Sequence, residues 1–567
     1  MNPRAALAGW LWKTANRPEA RRLAKALHRP RETQAARLQQ YLARNADTAF
    51  GRAHGFARTR DPAEYQQRVP LADYDDLAPW IERVAAGEPA VLTRAPVLLL
   101  EVTSGSTAAA KLIPYTADLQ AEFTRAVAAW FVDLCRRAPG IEHGPAYWSI
   151  SPVAQQRRRS PGGLPIGFEE DSAYLGGAAR RLVDALMAVP GDVRHICDVD
   201  AFRYVTLLFL LRCRELRLVS VWHPSFLTLL LDALRAHWPR LLDDIARGTL
   251  HPPTPPEPGV AARLARRLAP SPRRARELAR LTPDATMRIW PQLRLISCWA
   301  DAHAALYADE LARRFPGVQV QPKGLIATEG FITLPLGGAF PLALRSHYFE
   351  FLRDDGAVSL AHELETGGEY RVVLSTGGGL YRYRLGDRVR VETRLFETPS
   401  LRFLGRGGLA SDRFGEKLAE SFVARVLRTL LADERPAFAM LAPEQSAAGW
   451  RYVLYLEPAA PPDRDPPDAA RRSDAACDTV AAPHAHAASR AARLEALLAE
   501  NPHYRYCRHL GQLQSADVCL VPPRAYERYT AHCQSFGQRL GDIKPAALSV
   551  RDGWRPVLVG APVAAGT

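Results

Sequence analysis

The stretch PVLLLEVTSGSTAAAKLIPYT, Pro96–Thr116, predicts a strand, a polar loop and the start of a helix. Its first seven residues form the nearly continuous apolar run that is typical of a strand buried on both faces. The loop then places four hydroxyls around one glycine, in Thr103, Ser104, Gly105, Ser106 and Thr107. Lys111 follows, before a helix predicted to begin near Thr116 or Asp118. Because small residues expose backbone N–H groups and the lysine adds positive charge, this composition predicts a loop that holds nucleotide phosphates.

A Walker A loop is the first alternative, because the spacing from Gly105 to Lys111 matches G-x-x-x-x-G-K-[ST]. Ala110 replaces the second glycine, however, and Leu112 replaces the hydroxyl residue that would bind Mg²⁺. Hydroxyl-rich loops also occur simply as helix caps and turns. The loop by itself therefore leaves a phosphate site and a purely structural turn both open.

Composition and charge describe an ordinary globular protein with more than one domain. The chain has 567 residues, of which 47% are hydrophobic and 24% charged. Its formal net charge of +14 could suggest nucleic acid, but the basic residues are spread along the chain and denser patches such as Arg157–Arg159 lack interleaved aromatic residues. We therefore expect an anionic small molecule as the partner, and neither nucleic acid nor a membrane.

Localisation follows from the cysteines and from hydropathy. The eight cysteines include no C-x-x-C pair, which favours a reducing compartment. The N-terminal apolar segment is interrupted by Lys13 and is too short for a signal peptide. The longest apolar run, Val205–Leu211, is too short to cross a bilayer. These features predict a cytoplasmic protein, which we expect to be a monomer.

Lysine is scarce in this chain, which otherwise uses arginine as its basic residue. The six lysines are Lys13, Lys25, Lys111, Lys323, Lys417 and Lys544. Arginine cannot replace a compact, flexible ammonium at a site that needs one. The four lysines after the N-terminal helix are therefore candidates for such sites, and each lies in or beside a motif described here.

Hydrophobic periodicity predicts an α/β organisation. Residues 1–70 have helical spacing, and Leu293–Ala300 and Val318–Gly330 flank a helix in a β–α–β pattern that implies parallel strands. The apolar pattern of Leu216–Trp222 predicts a buried strand, followed by a helix that begins at Pro224. From Phe331 to Phe403, short alternating runs predict an antiparallel or barrel-like section.

Two further motifs carry groups suited to a nucleotide. GLIATEG, Gly324–Gly330, ends a strand with Thr328, which could donate to a phosphate, and Glu329, which could bind Mg²⁺ directly or through water. YRYRLGD, Tyr381–Asp387, predicts two strands joined by a turn at Gly386–Asp387, where the aspartate could accept from both ribose hydroxyls. Each motif also has a local explanation, since Glu and Asp are common at caps and turns.

Taken in order, these segments resemble the GH3 acyl-acid–amido synthetase family, a branch of the adenylate-forming enzymes related to luciferase and the acyl-CoA ligases. The matching segments are TSGSTAAAKLIP, GLIATEG, YRYRLGD, GRGGLASDRFGEKL and, near the end of the chain, GQRLGDIKPAAL. The resemblance implies an α/β fold with a large N-terminal adenylate-forming domain, containing mixed sheets and a β-barrel-like section, and a small mobile α+β C-terminal domain. The implied bounds are 1–404 for the N-terminal domain that binds ATP and the acid, 405–411 for a hinge and 412–567 for the mobile domain.

The resemblance also implies roles for individual residues. The hydroxyl loop with Lys111 would hold the phosphates, and Thr328 and Glu329 would serve the α-phosphate and Mg²⁺. Asp387 would bind the ribose, and Arg406 would lie at the hinge side of the nucleotide. Lys544 matches the lysine that the C-terminal domain delivers to the reacting carboxylate. Glu416 and Lys417 match a pair after the hinge whose role stays open.

The implied activity is ATP- and Mg²⁺-dependent adenylation of a carboxylic acid, followed by transfer of the acyl group to an amine, most simply an amino acid. An acyl-CoA or other thioester ligase is one alternative, although the tail lacks the glycine–lysine pattern usual in that class. A catalytically weak nucleotide- or acyl-binding protein is another, because Ala108–Ala110 stand where the family often has glycine. Trp222 is a candidate for lining the acyl pocket, with core packing as its alternative.

Overall fold

The computed structural model describes residues 3–102, 111–149, 158–167, 177–406, 410–434, 436–446, 449–458, 481–536, 538 and 543–560. The chain divides into two compact units. The first comprises residues 1–301 and 311–403, and the second comprises residues 302–310 and 404–567. Within the described residues, no helix combines the length and apolar character needed to cross a bilayer.

The predicted helical N-terminus is confirmed, and helices account for much of the first unit. In chain order they are α1 (Pro3–Ala26), α2 (Pro30–Asn45), α3 (Ala49–Ala53), α4 (Pro62–Arg68), α5 (Tyr74–Ala85), α6 (Ala117–Arg137), α7 (Gly177–Leu186), α8 (Val199–Arg212), α9 (Pro224–Arg247), α10 (Pro258–Ala265), α11 (Pro272–Leu278) and α12 (Thr286–Ile289). Helix α9 has the residues typical of a helix start and a helix end. Pro224 occupies its first turn, and Gly248 ends it in the left-handed conformation at φ 72°.

The strands on either side of the hydroxyl loop form a hairpin, where the sequence predicts a strand–loop–helix unit. Strand β1 (Val97–Val102) pairs antiparallel with β2 (Leu112–Thr116), and α6 begins only after β2. Thr116 caps that helix by accepting a hydrogen bond from the N–H of Leu119. The apolar residues after Lys111 form the second strand because Ile113 and Tyr115 are both buried. The expectation that both faces of β1 are buried is wrong, since Leu98 is exposed.

The described residues of the first unit form three sheets. One joins β2, β1, β5 (Pro165–Ile166) and β4 (Arg158–Arg159) in that order, with β1 parallel to β5. The second is the parallel sheet predicted from the β–α–β pattern, and its strands are β3 (Ala146–Trp148), β6 (Leu218–Ser220), β7 (Leu295–Cys298) and β8 (Gln319–Pro322). Helix α13 (Ala304–Arg314) connects β7 to β8 and contains one boundary between the two units.

The third sheet confirms the antiparallel section predicted after Phe331. Its strand order is β10 (Val358–Leu360), β9 (Tyr348–Leu352), β11 (Glu369–Ser375), β12 (Tyr383–Leu395) and β13 (Thr398–Arg406). The turn predicted at Gly386–Asp387 is wrong, because β12 runs through these residues as one strand. The register between β11 and β12 shifts there, so Gly386, at φ 84°, lies in a β-bulge instead.

The second unit is built around a small mixed sheet with helices on both faces. Strand β16 (Phe438–Ser446) pairs antiparallel with β17 (Gly449–Glu457), which pairs parallel with β18 (Asp517–Leu520). The remaining elements are β14 (Ala410–Ser411), β15 (Leu418–Ala419), α14 (Glu420–Leu430), α15 (Ala481–Leu498), α16 (Pro502–His509), α17 (Ala525–Ser535) and α18 (Trp554–Val559).

Side chains of this small sheet alternate between two hydrophobic clusters. Leu441 and Leu454 belong to the cluster shared with α14 and α15, whereas Met440 and Val453 belong to the cluster shared with α17 and α18. Successive strand residues point to opposite faces of a sheet, so both faces of this one are buried. The predicted α/β class, with mixed sheets and an α+β C-terminal part, is confirmed.

A buried ion pair fixes the start of β12 within the first unit. The guanidinium of Arg382 donates to Glu350 on β9 at 3.0 and 3.2 Å, and also to the carbonyls of Val69 and Gln66. Arg382 has a φ of 47°, a conformation that non-glycine residues rarely adopt. Burial raises the pKa of the Glu350 carboxyl although Arg382 opposes this effect. The ion pair therefore supports both an unusual backbone conformation and a buried carboxylate.

We predict that Arg382→Met destabilises the protein by about 3–5 kcal/mol, because it leaves Glu350 buried without its counter-charge. Urea unfolding monitored by tryptophan fluorescence measures this loss. Arg371→Met is the matched control, since the Arg371–Asp354 pair on the same sheet is well exposed and should contribute at most about 1 kcal/mol. Equal losses for the two variants would contradict a specific role for the buried pair.

Candidate active site

The ends of the hydroxyl loop are held together by the β1–β2 hairpin. Residues 103–110 lie outside the described part of the chain, and they include the predicted phosphate-binding residues Thr103, Ser104, Gly105, Ser106 and Thr107. Val102, directly before them, is the cross-strand partner of Leu112, which follows Lys111. The loop therefore starts and ends at adjacent positions on the same sheet.

The side chain of Lys111, which directly follows this loop, packs against an aromatic ring that none of the sequence motifs contains. Its ammonium lies 5.4 Å from the centre of the Tyr74 ring, within the range of a cation–π interaction. The Tyr74 hydroxyl accepts a hydrogen bond of 2.8 Å from the N–H of Leu112, and burial raises its pKa. Tyr74, at the first position of α5, thus connects the lysine to the strand that follows it.

Thr328 and Glu329 occupy a tight turn beyond β8, which ends at Pro322, before the GLIATEG motif begins. The N–H of Ala327 donates to the carbonyl of Gly330 at 2.9 Å, and Ile326 and Phe331 form a bridge across the turn. Thr328 is partly exposed, whereas Glu329 is buried. The turn thus leaves the hydroxyl residue accessible to a ligand and keeps the carboxylate within the protein.

A buried carboxylate, Glu122 on α6, organises the segments around this turn. It accepts hydrogen bonds from the Tyr41 hydroxyl at 2.8 Å and from the N–H of Gly377 at 3.0 Å, and it lies 2.9 Å from Nδ1 of His347. His347 accepts a hydrogen bond of 2.9 Å at Nε2 from the N–H of Phe331. Because Nε2 is an acceptor, neutral His347 carries its proton on Nδ1, which faces Glu122.

These contacts make Glu122 and His347 a supporting pair for two motifs. Phe331 directly follows the TEG turn, and Gly377 belongs to the STGGGLYRYRLGD segment that leads to Asp387. Sequence reasoning missed both residues. A usable signal existed for Glu122, since it lies between the apolar residues Leu119 and Phe123 on the buried face of α6.

The other predicted residues are distributed over both units. Asp387 is buried in the β-bulge of β12, and Trp222 follows β6 with 37% of its surface exposed; both belong to the first unit. Arg406 and Lys544 are exposed residues of the second unit. The structure thus brings Lys111, Thr328, Glu329 and Asp387 into one unit and places Arg406 and Lys544 in the other.

The described residues suit a metal ion that the nucleotide itself helps to bind. They contain no group of three or more His, Cys, Asp or Glu side chains that could hold a metal. Mg²⁺ commonly uses only one or two carboxylates, together with water and substrate phosphates. Glu329 therefore fits a magnesium ion that arrives with ATP, and it does not fit a metal ion that the protein alone retains.

Sequence comparison identifies the family. The GH3 family N-terminal domain matches residues 19–320, the GH3 family central domain matches residues 340–406 and the GH3 family C-terminal domain matches residues 428–551. The chain belongs to the GH3 family. The resemblance drawn from the motifs is thereby confirmed, and the three GH3 domains together span the segments that carry the candidate residues.

Named GH3 relatives are amido synthetases. A probable indole-3-acetic acid-amido synthetase of Oryza sativa subsp. japonica is 28% identical over 429 residues, which cover 67% of this chain and 69% of that protein. A jasmonoyl–L-amino acid synthetase of Nicotiana attenuata is 27% identical over 408 residues, covering 66% and 68% of the two chains. These names describe enzymes that join a small carboxylic acid to an amine.

A solved GH3 structure shares the fold. The AtGH3.15 acyl acid amido synthetase in complex with 2,4-DB superposes with a TM-score of 0.80 at 20% sequence identity, covering 95% of this chain and 94% of that one. At this identity the likeness shows the fold alone. It confirms that the GH3 architecture extends over nearly the whole of the present chain.

We predict that His347→Leu destabilises the protein by about 1–3 kcal/mol, because the buried N–H of Phe331 loses its acceptor. Urea unfolding measures the global effect, and amide hydrogen exchange at Phe331 should become faster. His143→Leu is the control, since the side chain of His143 is 53% exposed. Unchanged exchange at Phe331 would show that the histidine does not hold this segment.

Proposed function

We propose that the protein is an ATP-dependent acyl acid–amido synthetase. The observation that carries this proposal is the match of all three GH3 domains along the chain, together with the amido synthetase names of its relatives. The enzyme adenylates a carboxylic acid and then transfers the acyl group to an amine, most simply an amino acid.

In the first step a carboxylate oxygen attacks the α-phosphorus of ATP. The bond from that phosphorus to the oxygen bridging the α- and β-phosphates breaks, so pyrophosphate leaves and an acyl–AMP mixed anhydride remains. The hydroxyl loop and Lys111 stabilise the negative charge of the departing pyrophosphate. Thr328 donates to the α-phosphate, and Asp387 accepts hydrogen bonds from the ribose hydroxyls.

Mg²⁺, held by Glu329 and the nucleotide phosphates, would neutralise part of the phosphate charge in this step. Burial of Glu329 supports this role, because a low-dielectric environment strengthens its interaction with a cation. The Glu122–His347 pair fixes the residue that follows the TEG turn, so it limits the movement of that turn when substrates bind.

In the second step the amine attacks the acyl carbon, the bond from that carbon to the AMP oxygen breaks, and AMP leaves with the electron pair. The amine releases a proton to solvent as the amide forms. Lys544 serves the first step by offsetting charge where carboxylate and α-phosphate meet, and movement of residues 412–567 relative to residues 1–404, about a hinge at 405–411, separates the two steps. Arg406 contacts the nucleotide near this hinge.

Carboxylate-dependent exchange of labelled pyrophosphate into ATP tests the first step. We expect exchange with at least one acid from a panel of aromatic, aliphatic and indole carboxylic acids, and we expect amide products by mass spectrometry once amino acids are added. Thioester products with coenzyme A, and no amide, would identify a thioester ligase. The absence of exchange with every acid would overturn the synthetase proposal.

A single substitution tests the role of the second unit. Lys544→Ala should reduce the exchange rate by roughly a hundredfold or more, because a charge that stabilises the transition state is lost. ATP binding, measured by calorimetry, should change little. Lys25→Ala removes another exposed lysine and serves as the control. Wild-type exchange in the Lys544 variant would remove that residue from the mechanism.

A further inference from the structure

The carboxyl ends of four parallel strands bring several tryptophans and one lysine to the same edge of a sheet. Trp148 ends β3, Trp222 and Trp299 lie just beyond β6 and β7, and Lys323 directly follows β8. The N–H of Trp299 donates to the carbonyl of Trp222 at 3.0 Å, so the contact between β6 and β7 continues past the ends of these strands. Ligands of α/β proteins commonly bind outside this edge of the sheet.

The ammonium of Lys323 is anchored at this edge. It donates to the Ser220 hydroxyl at 2.5 Å, and it lies 5.7 Å from the ring centre of Trp222 and 6.0 Å from that of Trp130. Lys323 is partly exposed, yet protein surrounds its ammonium closely enough that burial lowers its pKa to about 8. Among the described residues, the titratable group that acts on it is the Cys298 thiol.

This ammonium therefore has hydrogen-bonding capacity left for a ligand. A protonated lysine has three N–H donors, and Ser220 accepts from one of them. Within the described chain no carboxylate pairs with it, although a partly buried cation is strongly stabilised by a counter-ion. A second donor is nearby, because the buried indole Nε1 of Trp148 has no described hydrogen-bond partner and its ring lies 6.5 Å from that of Trp130.

The neighbouring aromatic surface suits a flat, apolar molecule. Trp222 exposes 37% of its surface, and the ammonium of Lys323 lies near both its ring and the ring of the buried Trp130. Aromatic rings stack favourably on exposed indoles. The edge thus offers a planar apolar contact with a positive charge directly beside it.

We propose that Lys323 is a specificity residue that binds a second anionic group on an aromatic acid substrate, whose ring packs on Trp222. The inference rests on the proposed amido synthetase function, in which Lys544 serves the carboxylate that reacts. Lys323 takes the other group, because Lys544 serves the carboxylate that reacts and Ser220 holds the Lys323 ammonium at the strand ends.

Matched mono- and dicarboxylic acids test this assignment. The probes are benzoate and the three benzenedicarboxylates, compared by kcat/KM in pyrophosphate exchange. We expect the wild-type enzyme to prefer one dicarboxylate over benzoate by at least about tenfold, which corresponds to one ion pair in a partly buried site. Lys323→Met should remove that preference while changing kcat/KM for benzoate less than about twofold.

Two further variants distinguish a role of Lys323 in substrate specificity from a purely structural role. Lys323→Arg keeps a positive charge and should retain part of the preference, whereas Lys25→Met removes a distant exposed charge and should change nothing. Equal losses for benzoate and the dicarboxylates in Lys323→Met would show a structural role and overturn the proposal. A wild-type enzyme that does not favour any dicarboxylate would overturn it as well.

The pH dependence gives a second readout. The anion contact needs the protonated amine, so KM for the preferred dicarboxylate should rise as pH passes the pKa near 8 and level off at the value of the Lys323→Met variant. Cys298 does not titrate in this range, because burial raises its thiol pKa to about 12. In Lys323→Arg this rise should disappear, since the guanidinium stays protonated. A persistent rise in that variant would contradict the assignment.

A direct binding measurement tests the proposed site without requiring the enzyme to turn over. Quenching of tryptophan fluorescence by each benzenedicarboxylate can be titrated in the wild-type protein and in Lys323→Met. If exchange were absent with every acid, the synthetase proposal would fail, but dicarboxylate binding that Lys323→Met abolishes would still support the site. Absence of such binding to the wild-type protein would overturn the site itself.

Discussion

The carboxylate of Glu122 is the interaction on which the centre of the first unit depends. A charge buried in protein is tolerated only when polar groups surround it, and Glu122 accepts hydrogen bonds from Tyr41 on α2 and from Gly377 before β12, with Nδ1 of His347 2.9 Å away. Because His347 in turn accepts from Phe331, one charge fixes the positions of segments more than two hundred residues apart in sequence. The polar network thus determines where the motif-bearing turns lie, and the surrounding apolar core fills the space between them.

The second buried carboxylate, Glu350, shows how one short motif combines structure and chemistry. In YRYRLGD, Arg382 is committed to Glu350 and to backbone carbonyls, whereas Asp387 lies in the β-bulge five residues later. The bulge is possible because Gly386 adopts a positive φ. This single motif therefore contains both a residue that anchors the strand, Arg382, and the residue proposed to bind the ribose, Asp387.

The parallel sheet positions two sets of residues. One set is proposed to act on any acid substrate, and the other is proposed to select which acid binds. The turn after β8 carries Thr328 and Glu329, which serve any nucleotide-activated acid in the mechanism proposed above. The strand ends before it carry Trp222 and Lys323, whose ring and charge would discriminate among acids. The two sets are different side chains on the same sheet. Substitutions at Trp222 and Lys323 would therefore change the preferred acid without changing the residues proposed to contact phosphate.

The sequence by itself determined the family, the α/β class and the succession of motifs, because these depend on local periodicity and on residue types at short spacing. It predicted the parallel strands around α13 and the antiparallel section after Phe331, since their hydrophobic patterns differ. Tertiary structure alone decided that the segment after Lys111 is the second strand of a hairpin and that Gly386–Asp387 forms a bulge. It also decided that Glu122, His347 and Lys323 acquire their partners, because a buried charge is defined by groups that folding brings from distant parts of the chain.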